Sequence, residues 1–141
     1  MMISQTAEYA LRAVTWLAGH PDRPLGTPQI SMAARVPSGY LAKVMQMLAR
    51  ADLVVSAPGR NGGFRLTRDP ATISVLDVIN AVDPIGRIRS CPLELAGHGE
   101  HLCPLHRRLD DAMAQVEFAF ANSTIAELLG EPGGPRPLAG E

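Results

Sequence analysis

The chain has 141 residues, enough for one compact domain with an attached dimerisation helix and too few for a second large domain. Hydrophobic residues make up 46% of it without any run approaching the ~18 needed to cross a bilayer, and the amino terminus lacks the basic stretch, apolar core and cleavage site of a secretory signal. A soluble, cytoplasmic protein with no membrane association is therefore expected, and its net charge of -1 says nothing about nucleic acid until the distribution is read. Residues 34–68 carry Arg35, Lys43, Arg50, Arg60, Arg65 and Arg68 against the single acid Asp52, the footprint of a face that meets phosphates, although a merely solvated face has the same look.

Ile3, Ala7, Ala10, Leu11, Val14, Leu17 and Ala18 recur at helical spacing and predict an amphipathic helix over residues 4–19, closed by Gly19. Thr27-Pro28 reads as an N-cap followed by proline, opening a short helix with Ile30, Ala33 and Ala34 that stops near Val36-Pro37. Ser38 is placed to cap a third helix running to about Ala51, with Leu41, Val44, Met45 and Leu48 facing inward. Leu53–Ser56, the glycine-rich 58–63 and Phe64–Thr67 read as strand, turn and strand, which makes a wing.

Ser74-x-x-Asp77 has the form of a capping box before a fourth helix that ends at Asp83-Pro84. Residues 84–104 show no periodicity but hold both cysteines, and a loop of that length is uncommon without a function. Pro104 opens a long helix with the stripe Leu105, Leu109, Met113, Val116 and Phe120, which needs a partner: the first helix, the same helix of a second subunit, or both. Thr124-x-x-Glu127 caps a last short helix ending at Gly130, and residues 131–141 have the composition of a disordered tail.

The predicted fold is mostly α with a small β-hairpin wing: a winged helix-turn-helix over residues 1–83, a cysteine/histidine sensor loop over 84–104, and a dimerisation helix with a short terminal helix over 105–130. In such a unit the second helix of the pair enters the major groove. Candidate DNA contacts are Thr27, Ser38, Gly39, Tyr40 and Lys43, with Gln46 farther from the leading end. Arg60 and Asn61 at the wing tip, with Arg65 behind them, suit a minor groove. Taken singly, Tyr40 also suits a half-buried core position and Lys43 a solvated surface charge. A symmetric dimer would set two such helices on a pseudo-palindromic operator in double-stranded DNA. No enzyme is expected, since nucleophile elbow, zinc-protease and dinucleotide motifs are all missing.

Cys91, His98, His101, Cys103 and His106 are soft and borderline donors suited to an iron-sulfur cluster or zinc, and Cys103 and His106, three apart at a helix start, are able to face one site. Two ordinary cysteines among solvated histidines are the plain alternative.

Glu8-Tyr9-Ala10-Leu11-Arg12, Tyr40-Leu41, Gly59-Arg60-Asn61-Gly62-Gly63-Phe64 and Val78-Ile79-x-Ala81-Val82 together resemble the winged-helix regulators of the IscR, NsrR and CymR type, over about residues 3–130. The resemblance implies a dimeric repressor or activator that responds to redox, nitric oxide or iron-sulfur status. It further implies that Cys91, Cys103 and His106 hold a [2Fe-2S] cluster, with Glu8 of the other subunit as fourth ligand and His98 as the substitute. Those regulators place a middle cysteine where this chain has Gly97. A cluster-free regulator using a Cys91/Cys103 thiol switch, zinc or a protein partner remains the alternative.

Overall fold

A computed structural model describes residues 3–97 and 101–138. Six helices and one antiparallel hairpin follow in the order α1 (Gln5–Ala18), α2 (Thr27–Ala34), α3 (Ser38–Arg50), β1 (Val54–Ala57), β2 (Gly63–Leu66), α4 (Val75–Val82), α5 (Pro104–Ala121) and α6 (Ile125–Gly130). A single 3-10 turn at Pro70–Thr72, which the sequence reading lacked, connects β2 to α4.

Local chemistry fixes most helix starts. Ser4 accepts the amide of Ala7 to open α1, Ser74 and Asp77 form the expected reciprocal box at α4, and Thr124 accepts the amide of Glu127 at α6. Two caps move by one residue. Gly26, not Thr27, is the N-cap of α2, its amide satisfied by the Gln29 side chain at 2.9 Å. Pro37, not Ser38, caps α3: its carbonyl already accepts the Leu41 amide at 2.8 Å, so Ser38 falls inside the first turn. The strands are offset likewise, starting and ending one residue from the expected positions.

The apolar stripes converge on one core. Val14 of α1, Ile30 of α2, Leu41, Val44, Met45 and Leu48 of α3, Val78 and Ile79 of α4 and Ile125 of α6 are all buried there. Each such side chain is worth about 1.5–3 kcal/mol in apolar burial. The last helix is stitched back onto the domain by backbone bonds, Val75 N to Ser123 O at 2.8 Å and Ile125 N to Ile73 O at 2.9 Å.

That return brings α6 against α1 and leaves α5 to pack along α4. The expected seat of α5 on the first helix is therefore corrected: among the described residues α6 packs on α1 and α5 on α4, while Ile3 and Ser4, just ahead of α1, share an apolar cleft with Met113 and Val116 of α5.

Candidate nucleic-acid interface and sensor segment

The inward face of α3 is set by Leu41, Val44, Met45 and Leu48, so the opposite face is fixed by helical geometry. Ser38, Gly39, Lys43 and Gln46 lie on that outer face and are exposed. Thr27 stands half-buried in the first turn of α2. Tyr40 is partly covered: its hydroxyl hydrogen-bonds with that of Thr6, and its ring meets Tyr9 edge-on at 5.2 Å.

The wing presents Arg60 and Asn61 exposed at its tip, and Arg65 exposed on β2 opposite Val55. Its glycines are required by space. A Cβ on Gly62 would fall 2.0 Å from the carbonyl oxygen of Ala57, and one on Gly63, at φ +145°, 2.3 Å from the Leu25 carbonyl. That close approach has a purpose, because Leu25 pairs with Phe64 through two backbone bonds of 2.9 and 2.8 Å and ties the wing to the chain entering α2. A cleft of about 370 Å³ results between wing tip and α2, lined by Arg23, Arg60 and Asn61 among others. Arg23 was missed from sequence because no motif marks it; only the Leu25–Phe64 pairing carries it beside Arg60.

The segment leading to Cys91 is anchored by charge. Arg87 reaches Asp110 with Nε at 2.7 Å and Nη2 at 2.8 Å, and Glu117 with Nη1 at 2.7 Å, while the Ile88 amide donates to Asp110 at 2.8 Å. The Arg87 hydrogen bonds, then that of Ile88, hold the Asp110 carboxyl down at about 2; Asp110 and Glu117 in turn push Arg87 above its already high range. Nothing in the local pattern announces this triad, whose members lie far apart along the chain.

Among the expected donors, Cys103 occupies the N-cap of α5 with its Sγ 3.4 Å from His106 Nδ1. Cys91 is buried and does not join them, and His98 lies outside the described residues. No three His, Cys, Asp or Glu side chains among the described residues gather closely enough to hold one metal ion. Among the described residues, Cys103 and His106 are thus the expected donors that come together. Glu8 sits on α1 beside Arg12, whose Nε is 2.5 Å from the sealed Oε2; the contact is an ion pair out of line for a hydrogen bond. Arg12 also donates to the carbonyls of Ala34 at 3.4 Å and Arg35 at 3.2 Å, at the end of α2.

The sequence matches the Rrf2 family, described as iron-dependent transcriptional regulators, over residues 3–131. A protein of Aquifex aeolicus (strain VF5) named as an HTH-type transcriptional regulator is 30% identical over 132 residues, covering 92% of each chain. Among solved structures, CymR (YrzC), the global cysteine regulator of B. subtilis, superposes with a TM-score of 0.75 at 25% identity over 93% of this chain and 98% of its own. IscR of T. potens shares the fold with a TM-score of 0.76 at 22% identity, over 93% of this chain and 88% of its own. The exposed recognition face, the clamped wing and a family match across nearly the whole length lead to one conclusion: this chain belongs to the Rrf2 family and is a DNA-binding transcriptional regulator, not an enzyme.

Proposed function

We propose that the chain acts as a symmetric dimer that reads a pseudo-palindromic operator, with α3 in the major groove and the wing arginine in the adjacent minor groove, under the control of the segment from Cys91 to His106. The observation that carries the reading is the exposed outer face of α3, Ser38, Gly39, Lys43 and Gln46, held beside an equally exposed Arg60 and Asn61 by the Leu25–Phe64 bridge. Phosphate contacts from Lys43 and Arg65 position such a protein, and base-edge or groove-width contacts from Ser38, Thr27, Arg60 and Asn61 select the site. Gly39, with no side chain, lets the helix approach closely.

Selection from random double-stranded DNA, followed by anisotropy titrations across salt, tests this. Lys43→Ala should weaken all sequences alike and lower the salt slope by about 1, whereas Arg60→Ala should relax the preference at narrow-groove positions. A wild-type protein that enriches no sequence overturns the reading.

For the sensor we propose a [2Fe-2S] cluster held by Cys91, Cys103 and His106, with Glu8 from the second subunit and His98 as the substitute. The Cys103–His106 pair at the start of α5 and the family's description as iron-dependent support it. When bound, a cluster with histidine in place of thiolate supplies one-electron chemistry at a raised potential. Cys103 and His106 present their donors from a helix start, and Arg87 fixes the segment just ahead of Cys91 to α5. Anaerobic purification with iron, sulfide and visible-absorption measurement decides: a colourless, iron-free dimer indifferent to oxidants overturns it.

A second reading, a reversible Cys91/Cys103 thiol switch or a zinc site, is favoured by one observation. Gly97, at the position where a middle cysteine would stand, has φ +85°, a conformation that disfavours a side-chain-bearing residue. Mass spectrometry of oxidised and reduced protein, with metal analysis, separates the two.

A further inference from the structure

Three residues on one face of α1, spaced three apart, touch both sides of the helix-turn-helix. Thr6 hydrogen-bonds through its hydroxyl to the hydroxyl of Tyr40, in the first turn of α3. Tyr9 meets the Tyr40 ring edge-on, at 5.2 Å and 82°. Arg12 lies over the Tyr9 ring with its guanidinium carbon 5.4 Å from the centroid, and donates to the carbonyls of Ala34 and Arg35, the last residues before the turn. The turn itself needs such restraint: Arg35 takes the left-handed conformation, φ 54° and ψ 50°, which is unfavourable for a residue with a side chain.

We infer that Thr6, Tyr9 and Arg12 form a clamp on the turn, and that Tyr40 is a positioning residue whose hydroxyl holds the leading end of the recognition helix to α1. This deepens the DNA-reading assignment above and rests on it. Tyr40 sits where a DNA contact would be expected, but its hydroxyl already has a partner within the chain in Thr6, and its ring packs at 82° to that of Tyr9. The hydroxyl therefore acts through the angle of α3, on which Ser38, Gly39 and Lys43 depend for reaching the groove together. A small error in that angle is costly because several contacts share it.

The two roles differ in what a removed hydroxyl does elsewhere. Under the positioning role, Tyr40→Phe and Thr6→Val break one and the same bond from its two ends. Each should weaken operator binding roughly three- to tenfold, as for one hydrogen bond, and the double variant should be no weaker than the worse single. The salt slope should stay at the wild-type value, since no phosphate contact is lost.

The experiment is an anisotropy titration of the full-length protein and these three variants on the operator selected by the wild type. It is run well below each melting temperature as fixed by circular dichroism. Three outcomes overturn the inference: Thr6→Val binding as the wild type while Tyr40→Phe weakens with a shallower salt slope, additive losses in the double variant, or lowered melting temperatures with unchanged affinity. Failure of the wild type to select any sequence would instead defeat the DNA-reading assignment, so the two failures are distinguishable.

Discussion

Residues 3–82 and the long helix α5 are built on opposite terms. Every helix of the first region buries a stripe in one core, whereas α5, eighteen residues long, has no buried residue and leaves Leu105, Leu109 and Phe118 substantially exposed. The DNA-reading region is held by apolar burial, which is insensitive to pH and salt. The segment before Cys91 is tied to α5 by the partly buried cluster of Arg87, Asp110 and Glu117, which is sensitive to both. The first region closes its own core; α5 leaves apolar surface uncovered within one chain.

The contrast breaks first on core truncation. Leu48→Ala should cost about 2–5 kcal/mol in urea unfolding, while Leu109→Ala, measured at concentrations where any dimer is dissociated, should cost less than about 0.5 kcal/mol. Equal losses would show that Leu109 is packed as fully within one chain as Leu48. At higher concentration the same helix is the proposed dimer seam. Leu105→Asp combined with Leu109→Asp, one turn apart on the exposed end of the stripe, should weaken self-association by about 2 kcal/mol or more, seen as a shift to monomer in analytical ultracentrifugation with helix content unchanged.

A third pair of variants sharpens the contrast through glycine. Gly63→Ala must displace the Leu25 carbonyl from a positive-φ site and should cost about 1–3 kcal/mol, with loss of DNA affinity as the wing detaches from the α2 entry. Gly97→Ala, also at positive φ but with open space around it, should cost about 1 kcal/mol or less and leave the wing untouched.

The smallest effect is electrostatic and confined to the sensor side. Asp110 titrates at about 2 when folded against an ordinary 3.8, so its contribution is complete above about pH 4 and is lost as the pH falls toward 2. Hydrogen exchange should show the Ile88 amide, which donates to that carboxylate, losing protection across this window while the Leu41 amide at the α3 start keeps its own. Asp110→Asn should abolish the pH dependence of Ile88.

Much of this was legible along the chain because its causes are local. The Ser74–Asp77 box, the Thr124 cap and the 3.6-residue stripes of α1, α3 and α4 each involve residues within one or two turns of each other. Even there the reading slipped by a residue where proline competed: Ser38 looks like the cap of α3, but Pro37, with its fixed φ, takes the position and moves the helix start. The wing was visible from its glycines, though not the reason for Gly63, which lies in a segment almost forty residues upstream.

What sequence by itself determined was which elements form and which of their faces is apolar, since propensity, capping and periodicity act over a few residues. Tertiary structure alone decided the pairings between distant segments: Leu25 with Phe64, Arg87 with Asp110 and Glu117, Thr6 with Tyr40, and α6 rather than α5 against α1. Those contacts depend on the packing angles of whole elements, which no window of neighbouring residues contains. The same reason separates Cys103 and His106, adjacent on one helix turn and found together, from Cys91, which lies buried and apart from them.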